Sequence, residues 1–172
     1  YDKLIKAGKV KAIGASNLDA GQLAASLAAA SQHGLPGYQV LQPEHNLYDR
    51  AKFDGPLREL CVKEGIGVVT YYSLASGFLT GKYRSEADLG QSARGSGIGQ
   101  KYLNPRGMKI LAALDEVSEK HGVAQAEVSL AWLIAQPGVT APIASATSVA
   151  QVEQLLTAMR LELSPDLLAE DA

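Results

Sequence analysis

The chain has 172 residues, of which 47% are hydrophobic, so it has the length of one domain and can bury a substantial core. Its net charge of −2 and the lack of a basic stripe along any predicted helix argue against a nucleic-acid partner. The apolar runs are far shorter than the ~20 residues that span a bilayer, and the sequence shows no signal peptide. The single cysteine, Cys61, excludes a disulfide framework, and no two histidines have metal-ligand spacing. We therefore expect a soluble, cytoplasmic protein with no metal site and no membrane partner.

Four short apolar segments predict β-strands, and each runs into a loop of small polar residues followed by an amphipathic helix. The strands are predicted over 10–15, 38–42, 66–71 and 141–144. Helices are predicted over 18–33, 53–64, 105–121, 124–135 and 148–159, with a helix tail over 1–9 and a short terminal helix over 164–171. The β-branched run IGVVTY is typical of a strand buried on both faces of a parallel sheet.

This alternation describes βα units of a barrel, but it supplies only four of them. A (β/α)8 barrel closes with eight strands and usually has roughly 250 residues. The sequence also begins at Tyr1, without a start methionine. We therefore predict an α/β fold that is the C-terminal half of a TIM barrel, with four parallel βα units plus extra helices. Residues 1–172 then form a single partial domain, whose open edges call for an N-terminal half or a second copy of the chain as partner.

The segment 84–104 interrupts the alternation. It is rich in glycine and serine and has no hydrophobic period. Loops of this length inside a compact domain are usually functional or mobile. Because the segment follows a strand end, where the working face of such a barrel lies, we interpret it as a mobile flap over the site.

Four motifs then occur in order and at natural spacing over nearly the whole chain: AGKVKAIGASN, QPEHNLYDR, YYSLASGFLTGKY and PIASATSVAQVEQL. Together they resemble the last four βα units of the aldo-keto reductase family. The resemblance implies that NADP(H) lies extended across the C-terminal mouth of the barrel, and that a small carbonyl substrate, an aldehyde or ketone, is reduced to an alcohol.

The nicotinamide end of the cofactor is assigned to three strand ends by this resemblance. Ser16, Asn17 and Gln42 stand where the family holds the carboxamide, and short polar side chains suit a group that needs both a donor and an acceptor. Tyr71 stands where an aromatic ring stacks on the nicotinamide, although a one-residue ambiguity leaves Tyr72 as the alternative.

The remaining cofactor contacts are assigned in the same way. The pyrophosphate loop comprises Leu74, Ser76, Gly77, Leu79, Gly81 and Lys82, whose glycines allow close backbone approach and whose lysine offers a charge. The segment that binds the adenine and 2′-phosphate comprises Ala146, Thr147, Ser148, Gln151 and Gln154, at the start of a helix. Thr147 replaces the Lys or Arg of many members and Leu155 replaces an adenine-binding asparagine, so the sequence does not choose firmly between NADP and NAD.

Purely structural interpretations compete with several of these assignments. Gln42 precedes Pro43 and could end a strand. Asn17 or Asp19 could cap the following helix, a role compatible with cofactor contact. Lys82 could be a solvated surface charge. We interpret His45, which occupies a position usually aromatic in the family, as structural.

The catalytic groups of the family are not matched in this sequence. Aldo-keto reductases use an Asp, Tyr, Lys and His set, and the resemblance places all four in the first half of the barrel. We therefore assign no catalytic residue here, and we do not promote Tyr48, Tyr83 or Tyr102 to that role. Three functions remain open: the cofactor-binding half of a reductase, a nucleotide-binding regulatory module of the same family, and an inactive truncated fragment.

Overall fold

The computed structural model describes residues 1–91 and 95–164. Its centre is a four-stranded sheet in which the strands follow the chain order β1-β2-β3-β4 and all neighbours pair in parallel. The strands are β1 (Gly14–Ser16), β2 (Val40–Gln42), β3 (Gly67–Thr70) and β4 (Ala141–Pro142). The predicted parallel βα architecture is confirmed, although each strand is shorter than the sequence predicts.

Seven α-helices accompany the sheet in the described part of the chain. They are α1 (Asp2–Lys6), α2 (Ala20–Gln32), α3 (Pro56–Glu64), α4 (Gly95–Tyr102), α5 (Pro105–His121), α6 (Gln125–Ala135) and α7 (Val149–Ala158). Within residues 1–91 and 95–164, no helix combines the length and apolar character that a membrane span needs. The terminal helix predicted over 164–171 falls, apart from Ser164, outside the described residues.

Local chemistry explains where the predicted helices begin and end. The Asp19 carboxylate accepts a hydrogen bond from the Gln22 backbone N–H at 2.8 Å, and the Gln22 side chain accepts one from the Asp19 N–H at 3.0 Å. This reciprocal capping box starts α2. Gly65 ends α3 in the left-handed conformation, with φ 66°, which glycine adopts without a steric penalty.

The segment 84–104 differs from its prediction as a loop without regular structure. It contains a 3-10 segment, Glu86–Gln91, and the helix α4. α4 is rich in glycine and so has a poor intrinsic helix propensity. Tertiary packing overrides that propensity, because Ile98 and Tyr102 are buried in the core at 1% and 2% exposure. The predicted mobility of this segment stays a prediction.

Two hydrophobic clusters flank the sheet. One joins the loop after β3 to α4, α5 and α6, and it contains Trp132 at 2% exposure. The other lies between the sheet, α2 and α3, and it contains Leu41 and the fully buried thiol of Cys61.

His45 is fully buried between the loop after β2, α3 and α6. Its ring packs edge-on against Phe53, with centroids 5.0 Å apart, and lies 5.7 Å from the Trp132 ring. The Arg58 Nη2 lies 3.3 Å from the His45 Nε2, and the Asp54 carboxylate lies 3.8 Å from the same atom. Burial lowers the pKa of His45 from 6.5 to about 4, despite the nearby Asp54 carboxylate. At neutral pH the imidazole is therefore uncharged and accepts a hydrogen bond from Arg58, which agrees with a structural role.

This lowered pKa predicts a pH-dependent stability. Between pH 6.5 and about 4 the unfolded chain protonates His45 while the folded chain does not, so the free energy of unfolding falls as the pH falls through this window. The loss contributed by His45 reaches roughly 3 kcal/mol near pH 4. We expect His45→Gln, which keeps an acceptor for Arg58, to flatten this slope in urea unfolding curves recorded from pH 7 to pH 4. An equal dependence of the unfolding free energy on pH in wild type and His45→Gln would contradict the lowered pKa of His45. His33→Gln, at an exposed helix end, controls for the loss of an imidazole.

Candidate functional site

The carboxyl ends of all four strands meet at one edge of the sheet because the strands are parallel. Ser16 and Gln42 are paired in the β1–β2 register, and the Ser16 Oγ donates a hydrogen bond to the Gln42 carbonyl at 2.8 Å. After β3, the Tyr71 N–H donates to the Pro43 carbonyl at 3.0 Å. The three strand ends that the sequence assigns to the nicotinamide are thus brought together in space.

Tyr71 makes the contact that crosses this edge. Its hydroxyl donates a hydrogen bond to the Asn17 Oδ1 at 2.8 Å. Since Tyr71 follows β3 and Asn17 follows β1, the tyrosine side chain spans the end of β2, where Gln42 lies. The neighbouring Tyr72 is 52% exposed, and its ring meets the Tyr71 ring edge-on. The geometry therefore favours Tyr71 over Tyr72 as the aromatic surface of the site.

The loop after β3 has an unusual backbone. Ala75 and Ser76 have φ values of 49° and 59°, and Gly77 and Gly81 have φ values of 104° and 78°. Positive φ is uncommon for residues with a Cβ, and strained backbone of this kind is concentrated at binding sites and active sites. A Cβ added at Gly81 would collide with the Gln125 side-chain amide. Gly81 therefore packs tightly against the Gln125 side chain of α6, whereas at Gly77 no atom lies closer than 3.8 Å to the place that a Cβ would take.

Two side chains of this loop differ in what they can contribute. Leu79 is fully buried in the core, and its N–H donates to the Leu74 carbonyl at 3.2 Å, so its side chain supports the loop from beneath. Lys82 is exposed, with its Nζ 5.0 Å from the centroid of the Tyr83 ring and its chain folded back towards Gly77. Lys82 is therefore the cation of the loop that is available to an anionic group.

The segment after β4 already satisfies part of its own hydrogen bonding. The Gln151 Oε1 accepts hydrogen bonds from the Thr147 N–H at 2.6 Å and from the Thr147 Oγ1 at 3.1 Å. Ser148 caps α7, accepting from the Gln151 N–H at 3.3 Å. Gln154 is exposed on the same helix. Ala146 is half-buried next to this cap. The donors assigned to the 2′-phosphate are thus present, but they are engaged by Gln151.

These observations fit a nicotinamide dinucleotide. Amide and hydroxyl groups and an aromatic ring lie at one strand edge, a glycine-containing turn with a lysine follows β3, and a helix start with hydroxyl and N–H donors follows β4. The set is a donor-rich surface for phosphates and amides. By contrast, no group of three or more His, Cys, Asp or Glu residues suited to a metal ion occurs in the part of the chain that the structure describes.

A charged cluster beside this site was not found from the sequence. The Lys101 Nζ on α4 lies 2.9 Å from the Glu44 Oε1 and 2.9 Å from the Asp49 Oδ1. The Tyr102 hydroxyl donates to the Asp49 Oδ2 at 2.8 Å. Hydrogen bonds to the two carboxylates raise the pKa of Lys101 against the opposing effect of its partial burial. The acidic residues Glu44 and Asp49 lie within the QPEHNLYDR motif, but Lys101 lies 57 and 52 positions further along, in a segment without a periodic signal, so only the fold reveals the pairing.

The cluster is connected to the site through Asn46. This side chain is fully buried, and its Nδ2 donates to the Tyr72 carbonyl at 3.0 Å and to the Asp49 Oδ2 at 3.2 Å. Tyr72 has a positive φ of 52°. Asn46 therefore holds the turn that directly follows Tyr71, and it ties that turn to the carboxylate that binds Lys101.

Comparison with known proteins shows the family. The sequence profile of the Aldo/keto reductase family matches residues 1–170, and the chain belongs to this family. It is 33% identical over 167 residues to the protein tas of Escherichia coli, covering 96% of this chain and 48% of that protein. It is 31% identical over 151 residues to a probable voltage-gated potassium channel subunit beta of Arabidopsis thaliana, covering 85% of this chain and 46% of that protein.

A solved structure agrees with this family membership. The fold is similar to that of a thermostable aldo-keto reductase crystallised with the inhibitor epalrestat, with a TM-score of 0.69 and 26% sequence identity. The alignment covers 96% of this chain and 49% of the solved one. The chain thus spans about half the length of the relatives it matches, and its four parallel strands form part of a (β/α)8 barrel.

From the ion pairs of Lys101 with Glu44 and Asp49, we predict that they hold α4 against the loop after β2, beside the candidate site. Lys101→Met keeps the aliphatic stem but removes both ion pairs, so we expect faster amide hydrogen exchange over Gly95–Tyr102. Because the Lys101 side chain is 45% exposed, the effect is screened and should shrink at high salt. Lys109→Met, on an exposed position of α5, serves as the control. Unchanged exchange over α4 in Lys101→Met would show that the ion pairs do not hold this helix.

Proposed function

We propose that this chain is the cofactor-binding part of an NADP(H)-dependent oxidoreductase that reduces aldehydes or ketones to alcohols. The observation that carries the proposal is the convergence of Asn17, Gln42 and Tyr71 at the carboxyl ends of three adjacent strands. Membership of the aldo-keto reductase family, whose members generally bind a nicotinamide cofactor, supports the same conclusion.

In this proposal each part of the edge has one task. When bound, NADPH supplies a hydride to the carbonyl carbon of the substrate. Tyr71 offers its ring as a surface for the nicotinamide, while Ser16, Asn17 and Gln42 orient the carboxamide through hydrogen bonds. The turn at Gly77, together with Leu74, Ser76, Gly81 and Lys82, encloses the pyrophosphate. Ala146, Thr147, Ser148, Gln151 and Gln154 receive the adenosine end.

The preference for NADP(H) over NAD(H) is expected to be modest. Thr147 and Ser148 offer hydroxyl and N–H donors, but no Lys or Arg stands at position 147. A charge-assisted bond to the 2′-phosphate is therefore missing, and such bonds are roughly twice as strong as neutral ones.

The chain covers 48% of the length of tas, so we further propose that the active protein contains four more βα units, supplied by the same polypeptide, a separate chain or a second copy. The acid tyrosine and the residues that tune it belong to that other half. Tyr83 and Tyr102 are buried at 0% and 2% exposure, which supports their exclusion from catalysis.

The only cysteine, Cys61, is a buried free thiol, which agrees with a cytoplasmic location.

A second candidate function is a nucleotide-binding regulatory module. The relative from Arabidopsis thaliana is named as a potassium channel subunit beta, and it shares 31% of the aligned residues. The two functions predict the same cofactor contacts and differ in turnover. Carbonyl reduction by a protein that contains all eight strands distinguishes them.

Cofactor binding tests the proposed site directly. In an eight-strand protein that contains this chain, we expect Tyr71→Ala to weaken NADPH binding by roughly 1–2 kcal/mol, because it removes an aromatic stacking surface. Titration of NADPH fluorescence measures the change. Tyr72→Ala is the matched control at the neighbouring ring, and a larger loss in that variant than in Tyr71→Ala would reverse the assignment.

Turnover by the chain alone tests where the catalyst lies. The purified 172-residue polypeptide, verified by mass, should show no reduction of a reactive aldehyde with NADPH. The physical reason is that, among residues 1–91 and 95–164, no tyrosine paired with a lysine lies at the strand edge to protonate the carbonyl oxygen. Robust turnover that is lost in Tyr48→Phe, Tyr83→Phe or Tyr102→Phe would show instead that the catalyst lies within this chain.

A further inference from the structure

Tyr71 is held by one hydrogen bond from its backbone and one from the end of its side chain. Its backbone N–H donates to the Pro43 carbonyl at 3.0 Å, and its hydroxyl donates to the Asn17 Oδ1 at 2.8 Å. Burial, reinforced by the Glu44 carboxylate, raises the pKa of the Tyr71 hydroxyl, so the group stays protonated as a donor at neutral pH. These bonds restrict the rotation of the Tyr71 ring where it lies across the end of β2.

The same hydrogen bond fixes the partner. A free asparagine amide presents a donor on one side and an acceptor on the other, and it can exchange the two by rotation. Here the Asn17 Oδ1 is engaged by Tyr71, and the Nδ2 has no hydrogen-bond partner among residues 1–91 and 95–164. Asn17 also has a positive φ of 57°, so the extended backbone of β1 ends before this residue. The amide therefore presents only its donor side to a ligand at this edge.

We propose that the Tyr71 hydroxyl is a positioning group that fixes the Asn17 amide, so that Asn17 recognises the oxygen of the nicotinamide carboxamide and not its NH2 group. This inference rests on the proposed cofactor-binding function and goes beyond it. It assigns the Tyr71 hydroxyl a task separate from that of the aromatic ring. It also names the atom of the cofactor that Asn17 recognises.

The test separates the hydroxyl from the ring by comparing two ligands. Tyr71→Phe keeps the aromatic surface and removes the bond to Asn17. NADPH is compared with its reduced 3-acetylpyridine analogue, which keeps the carbonyl oxygen but carries a methyl group in place of the NH2. Dissociation constants are measured by calorimetry on the eight-strand protein without a carbonyl substrate, so the readout is binding and not turnover.

We expect Tyr71→Phe to weaken NADPH binding by about threefold to tenfold, the range of one hydrogen bond. The freed Asn17 amide can then turn its Oδ1 towards the NH2 group of NADPH, but the analogue offers no donor to it. The analogue should therefore lose at least about threefold more affinity than NADPH, so that discrimination between the two ligands rises in Tyr71→Phe. Tyr72→Phe, which removes a hydroxyl one residue away, should change neither constant.

Three outcomes would overturn the inference. Equal weakening of both ligands in Tyr71→Phe would mean that the hydroxyl serves only the ring platform. Unchanged affinity for both ligands would mean that the Tyr71–Asn17 bond has no part in recognition. Failure of the wild-type protein to bind either ligand would refute the proposed function itself, and the inference with it, and this result is distinguishable from the other two.

Discussion

The strands β1 to β4 all run in the same direction, and each therefore delivers its last residue to the same edge of the sheet. Side chains alternate between faces along a strand, so a slip of one residue in the pairing of Ser16 with Gln42 would send the polar groups to the opposite face. The bond from Ser16 to the Gln42 carbonyl and the bond from Tyr71 to Asn17 hold this register from outside the ladder. The site is therefore a direct consequence of parallel pairing.

The strained turn after β3 depends in turn on the core beneath it. Ala75 and Ser76 keep positive φ values that cost energy for residues with a Cβ. Phe78 and Leu79, both fully buried in the cluster with α4 to α6, fix the turn in place. Hydrophobic burial thus offsets the backbone strain, and this explains why an apolar residue recurs inside a loop whose other side faces solvent.

The sequence predicted the structure correctly where residues close together in the chain determine the local conformation. The cap at Asp19 and the β-branched strand β3 are of this kind, as are the motifs that carry the family resemblance. It failed at α4, because a helix rich in glycine forms only when distant partners bury it and pair with its lysine. For the same reason the motifs name Tyr71 and Asn17 as site residues, but the bond between them, 54 positions apart, exists only in the folded chain.

The two ends of the proposed cofactor site differ in how much they must change to receive a ligand. At the nicotinamide end, internal bonds already hold Tyr71 and Asn17, so binding costs little ordering of side chains. At the adenosine end, the Gln151 Oε1 occupies the Thr147 N–H at 2.6 Å and the Thr147 Oγ1 at 3.1 Å, and a phosphate must displace it. A charged 2′-phosphate accepts these bonds more strongly than a neutral amide oxygen does, whereas the ribose hydroxyl of NAD does not. Under the function we propose, this exchange of the Gln151 oxygen for a phosphate would favour NADP(H), even though position 147 lacks a cation.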